Sequence, residues 1–164
     1  MPNFENVRSS YRPTVIATLF VGESAPYGGT FFYNEDSGLF REMRKAFRGS
    51  EFFLDDFKRN GFYLDDLVLD PVNHLPRKDR ISLCRNSVTA FAKRLKSYKP
   101  RAVVILLKSI KPMVLQAMRE ARLPYEPFCT PYPGMGNQPR FHKAMIAIIP
   151  NLPTATASTW KEHQ

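Results

Sequence analysis

Two loops hold most of the residues whose types and spacing suit chemistry in this 164-residue chain. The first reads Gly22-Glu23-Ser24-Ala25-Pro26-Tyr27-Gly28-Gly29-Thr30-Phe31-Phe32-Tyr33-Asn34. Its glycines let backbone approach a ligand closely. Glu23 brings a carboxylate, and Phe31, Phe32 and Tyr33 offer flat faces on which a nucleobase stacks, at about 1–3 kcal/mol per base. The plain alternative is that aromatics after a core strand belong to the core, and that Glu23 accepts backbone N–H bonds inside a tight loop. The second loop runs Thr130-Pro131-Tyr132-Pro133-Gly134-Met135-Gly136-Asn137-Gln138 and leads into a helix. Free N–H groups at such a helix start suit a phosphate, which Arg140 and Lys143 would flank. An ordinary turn is the alternative there.

Other chemistry is excluded by what is missing. The first loop has no Gly-Lys-Ser/Thr and no Gly-x-Gly-x-x-Gly, so it is neither a Walker nor a dinucleotide motif. His74 and His142 read as surface residues, His163 lies in the tail, and no metal-ligand spacing joins the three. Cys84 and Cys129 are the only cysteines and suit buried, reduced thiols of a cytoplasmic protein. No metal or cofactor is expected.

Both loops need strands to aim them. Thr14–Val21 is a β-branched apolar run and predicts a buried strand that stops at Gly22. Asp36 or Ser37 caps a helix with Leu39, Phe40, Met43, Ala46 and Phe47 on one face. Ser50 starts a short helix to Arg59, and Gly61 ends it. Phe62–Leu69 predicts a second strand, in which Asp65 and Asp66 alternate faces so that one is solvated. Ile81, Cys84, Val88, Phe91 and Leu95 step by 3, 4, 3, 4 after Asp79, which predicts one helix closed by Pro100. Ala102–Leu107 predicts the third strand. Ser109 caps a helix with Pro112 in its first turn, and Pro124–Phe128 predicts a short fourth strand. Asn137 or Gln138 caps a last helix carrying Phe141, Ala144, Met145 and Ile148.

This alternation predicts one three-layer α/β/α domain with a central four-stranded parallel sheet, its core about residues 14–150. Ligands of such sheets bind outside the carboxyl ends of the strands, so the two loops are expected to face one crevice.

Composition limits the classes further. Hydrophobic residues make up 43% of the chain, enough for an ordinary core. No apolar run approaches the roughly 18–20 residues of a membrane span. Met1-Pro2-Asn3 opens no basic-then-apolar signal, so secretion is not expected. The formal net charge is +9. Residues 1–79 contribute −2 and residues 80–161 contribute +12, with Glu162 making up the difference. A basic half of that strength attracts phosphate polyanions and predicts nucleic acid as the partner; a merely soluble basic protein is the bland reading.

With these elements in order, the chain resembles the uracil-DNA glycosylase superfamily over roughly residues 14–150, nearest its bacterial Gly-Glu-Ala-Pro-Gly branch. Gly22-Glu23 followed by Pro26 is similar to that branch's first motif. Gly29-Thr30-Phe31-Phe32 and Ser37-Gly38-Leu39-Phe40 are similar to its Gly-x-Pro-Phe…Ala-Gly-x-Leu-Leu segment, and Lys99-Pro100-Arg101 to the run before its third strand. The resemblance implies that Phe32 stacks on a flipped base and that Asp65 or Asp66 stands where the family reads the base with asparagine. It also puts Thr130–Asn137 in place of the His-Pro-Ser motif that grips DNA. Three departures stand out. Ser24 or Ala25 occupies the place of the family's water-positioning Asp or Asn. The second-motif histidine is absent, and only Cys84 matches any of the four cysteines of an iron–sulfur cluster, so no cluster is expected.

N-glycosidic hydrolysis passes through a cationic sugar and needs a positioned water, nearby negative charge and donors for the departing base. The expected assignment is Glu23 for water or sugar-cation work, and Gly22, Ser24, Pro26, Phe32, Asp66 and Asn137 around the base. Gly134, Gly136, Gln138, Arg140 and Lys143 take phosphate. A carboxylate at Asp66 only accepts unless protonated, so it suits an amino-bearing base better than uracil. The other expectations are a DNA-binding module on the same fold without catalysis, and an enzyme acting on free nucleosides or nucleotides.

Overall fold

The computed structural model describes residues 3–155. Four strands form one parallel sheet in the order β2-β1-β3-β4: β1 Thr18–Gly22, β2 Phe62–Asp66, β3 Ala102–Ile105 and β4 Phe128–Cys129. Seven α-helices surround it among the described residues: α1 Phe4–Ser10, α2 Gly38–Ala46, α3 Phe53–Arg59, α4 Arg77–Asn86, α5 Val88–Tyr98, α6 Lys111–Glu120 and α7 Gln138–Ile148. This is the expected single-domain three-layer α/β/α architecture. None of the helices is long and apolar enough to cross a membrane.

The strands form where uninterrupted apolar residues meet neighbours on both faces. β1, β2 and β3 are buried at every position, as a parallel sheet covered on both sides requires. Phe20 of β1 anchors an aromatic cluster with Phe47, Phe57 and Phe62, its ring 5.3–6.0 Å from theirs. Beneath the other helices, Leu95, Val103, Ile105 and Phe141 are buried as well. Gly61 has φ +78°, the left-handed stop expected after α3, and its carbonyl accepts Ala17 N–H at 2.7 Å to start the sheet.

Several expected boundaries shift, each for a local reason. The first strand begins at Thr18 because Thr14 and Val15 lie exposed beyond the sheet. The helix expected through to Pro100 breaks at Ser87, whose hydroxyl donates to Leu83 C=O at 2.7 Å and competes with the helical ladder. Ser109 lies within a 3-10 turn, Lys108–Ile110, and caps nothing. β4 is displaced from Pro124–Phe128 to Phe128–Cys129, since Pro124 and Pro127 have no N–H for the ladder. Ser37 caps α2, accepting Phe40 N–H at 3.1 Å.

α1 was not expected, and it matters most. β2 is an edge strand, and its free side is closed by side chains rather than by another strand. The Tyr33 hydroxyl accepts Leu64 N–H at 2.6 Å and donates to Leu64 C=O at 3.0 Å. Arg8 of α1 donates to the same carbonyl at 3.3 Å. Asp65 and Asp66 are both buried, which corrects the expectation that one is solvated. Buried carboxylates need partners, and Arg8 and Arg94 supply them.

Candidate functional site

The carboxyl ends of all four strands open onto one cavity of about 660 Å³. It lies at the switch point between β1 and β3, where chain connections leave in opposite directions. Ladder hydrogen bonds continue past the strands and hold the loops against each other. Leu67 and Val68 N–H groups donate to Gly22 and Glu23 carbonyls at 2.9 Å, and Leu106 N–H donates to Val21 at 3.0 Å. The loop after β1 and the loop after β4 therefore do share one crevice, with Gly22, Glu23, Ser24, Pro26 and Phe32 meeting Gly134, Asn137 and Gln138 across it.

Gly22 forms the floor because nothing larger fits. A Cβ there would lie 2.5 Å from Asp66 Oδ1. Asp66 also lines the cavity, with its Oδ2 accepting from Arg8 Nη2 at 3.0 Å. Asp65 turns away from the cavity and accepts from Arg94 Nε at 2.9 Å and from the Tyr98 hydroxyl at 2.8 Å. Burial pushes the Asp66 carboxyl above its ordinary range; Arg8 opposes this and Asp65 adds to it. Burial works against the Arg8 charge too, but Asp66, Asp65 and Glu5 outweigh it and hold the guanidinium firmly protonated.

Glu23 is not tied to backbone N–H groups. Its Oε1 accepts from Arg80 Nη2 at 2.6 Å, with the carboxylate largely buried in the cavity wall. Among the described residues Glu23 Oε2 has no protein hydrogen-bond partner. Arg80 Nε is likewise buried without a partner. Ser24 donates to Ala25 C=O at 3.3 Å and accepts Val72 N–H at 3.2 Å. Cys84 stands one helical turn beyond Arg80. Burial, with the Glu23 charge adding to it, pushes its thiol up to about 11, so it is no nucleophile at neutral pH.

Phe32 lines the cavity but is almost wholly core. It is 3% exposed, and Tyr33, Phe40 and Phe57 surround its ring at 5.0–5.8 Å. Phe31 is stacked on Phe4 at 4.5 Å and also lines the cavity. On the far wall Asn137 begins α7 without a side-chain cap bond. Gly136, Arg140 and Lys143 do not line the cavity; they lie exposed outside it.

The cavity also takes residues that sequence reasoning passed over. Arg80 was legible in principle, since i, i+4 spacing puts it on the inward face with Cys84. Arg8, which stands behind Asp66 and does not line the cavity, had a fainter signal, the Phe4, Val7, Tyr11 stripe of a short helix. Arg41 and Glu42 come with the first turns of α2, and Tyr132 and Met135 of the expected second loop line the cavity as well. His142 is half-buried rather than on the surface, paired through Nε2 with Glu42 and so tying α7 to α2. No group of three or more His, Cys, Asp or Glu among the described residues could hold a metal ion.

No protein-family model matches the chain, and no curated protein matches it.

Proposed function

We propose that the protein binds DNA and takes a modified base into this cavity, where it recognises the base and hydrolyses its N-glycosidic bond. We read it accordingly as a relative of the uracil-DNA glycosylase superfamily. The observation that carries this reading is the meeting of the two loops in one cavity, with a half-paired carboxylate, Glu23, in its wall.

In this reading a flipped base lies on Gly22–Pro26 with its edge against Asp66. The ionised Asp66 accepts from an exocyclic amino group, which favours amino-bearing bases over uracil. Phe31 and Phe32 exclude water from one side of the base. Glu23 Oε2 holds a water and stabilises the sugar cation as it forms. Water oxygen bonds to the anomeric carbon, the carbon–nitrogen pair leaves with the base, and the water proton passes to Glu23. Asn137 and Gln138 donate to the base or its sugar. Gly134, Gly136, Arg140 and Lys143 meet the phosphates, supported by the exposed cations of the C-terminal half. Met135, 94% exposed on the rim, offers an apolar contact to a neighbouring base.

One observation favours base recognition without hydrolysis. Ser24 stands where the family positions water with Asp or Asn, and its one hydroxyl proton is already donated within the fold to Ala25 C=O, leaving a neutral lone pair in place of a carboxylate or amide.

A base-excision assay separates the two. Oligonucleotides carrying uracil, hypoxanthine, xanthine, a methylated adenine or an oxidised guanine are incubated with protein and then treated with alkali to cut abasic sites. Cleavage lost in Glu23→Gln supports hydrolysis. Salt-sensitive binding with no cleavage of any substrate supports recognition alone, and loss of both overturns the nucleic-acid reading.

A further inference from the structure

Tyr27 and His74 belong to different loops, one after β1 and one after β2, yet their rings stack with centroids 3.9 Å apart and planes 25° from parallel. Asn73 fixes that arrangement, its side-chain carbonyl accepting Tyr27 N–H at 2.8 Å. Tyr27 remains 60% exposed, and His74 is exposed with it. The pair therefore buries little surface for the fold while presenting a flat, pre-ordered aromatic face to solvent. Pro26 and Asn73, the immediate chain neighbours, line the cavity, so this face sits on its rim. Past it the loop leaves room, with nothing within 4 Å of a Cβ built at Gly28.

We propose that the Tyr27–His74 pair is a stacking platform for the nucleotide next to the one whose base occupies the cavity, and that the protein's substrate is single-stranded DNA. This rests on the nucleobase reading of the cavity. A base inside a duplex has both faces covered by its neighbours and its edge paired, so it has no face to give to a rim aromatic. An unpaired base does, and aromatic platforms beside basic groups are how single strands are held. Arg77 and Lys78, exposed at the start of α4 just after His74, lie where the strand's phosphates continue.

Fluorescence anisotropy with a short labelled oligonucleotide of adenines and cytosines, whose bases carry the exocyclic amino groups that Asp66 would accept, and the corresponding duplex tests the platform. Tyr27→Ala is expected to weaken single-strand binding by about 5- to 100-fold, the effect of losing one stacked base, and to leave duplex binding unchanged. Tyr27→Phe keeps the ring and is expected to bind like wild type. Unchanged single-strand affinity in Tyr27→Ala, or an equal loss on both DNA forms, overturns the platform and leaves the cavity reading standing. Failure of the wild type to bind either form overturns both.

Discussion

Arg8 Nη2 donates to Asp66 Oδ2 at 3.0 Å across 58 residues of sequence, joining the first helix to the floor of the cavity. The same guanidinium lies 3.5 Å from Asp65 Oδ1 and donates to Glu5 Oε1 at 3.2 Å. Two adjacent carboxylates on a buried edge strand would repel each other without it. α1 is thus part of the site, although none of its residues lines the cavity.

Arg8→Met strips the two aspartates of a buried counter-charge. The expected loss is about 3–5 kcal/mol, the cost of leaving buried charge uncompensated. Thermal unfolding should show a fall in Tm on the order of 10 °C. Arg8→Lys, which keeps the charge but loses the fork, is expected to fall between the two. A Tm unchanged in Arg8→Met would show that α1 is dispensable.

Gly22→Ala places a Cβ where Asp66 Oδ1 now lies, so the carboxylate must move. The expected cost is about 1–3 kcal/mol in urea unfolding, with weakened binding of DNA carrying a modified base. Gly28→Ala is the control: with open space around it, stability should change by no more than about 0.5 kcal/mol.

Phe32 has two jobs, core and cavity wall, and they separate by substitution. Phe32→Ala is expected to cost about 3–5 kcal/mol because the ring packs among three others. Phe32→Leu keeps most of the volume and should fold, while losing aromatic contact with a bound base. Equal base binding by Phe32→Leu and wild type would leave Phe32 a core residue alone.

Much of this was legible in the sequence, and what was not has a physical cause. The β-branched runs around Phe20 and Val104 fix the parallel sheet, and the turn residues of the two loops place the crevice at its carboxyl edge. Asp65 and Asp66 misled, because period-two alternation assumes one wet face and β2 is covered on both. Their partners lie far away in sequence: Arg8 by 58 residues from Asp66 and Arg94 by 29 from Asp65. Spacing rules see only neighbours along a helix or strand, so such a network stays hidden until the chain is folded. The Glu23–Arg80 pair escaped for the same reason, at a separation of 57 residues.

Stability should depend on pH through the Glu42–His142 pair. Burial raises the Glu42 carboxyl, but the hydrogen bond to His142 and the charge of Lys45 outweigh it and hold it below its ordinary range. A depressed carboxyl stabilises the fold above its unfolded pKa, and that stability disappears as pH falls through the folded value. Acidification below about pH 4 should therefore loosen α2 from α7. Asp66, shifted the other way, opposes this loss, its contribution being present at low pH and fading as pH rises. Glu42→Gln removes the first contribution, so its urea midpoint should fall less between pH 6 and pH 3 than that of wild type. Parallel pH curves for the two proteins would exclude the pair as a source of the dependence.

In the proposed function Asp66 receives the edge of a bound base. The most direct measurement is competition binding of single-stranded oligonucleotides that differ at one position, where an amino-bearing base replaces an oxo base, to wild type and to Asp66→Asn. Wild type is expected to prefer the amino-bearing base by about 10- to 100-fold, as a hydrogen bond to a charged acceptor gives. Asp66→Asn, which both donates and accepts, should lose that preference. The same ranking and the same ratio in both proteins would show that Asp66 does not read the base.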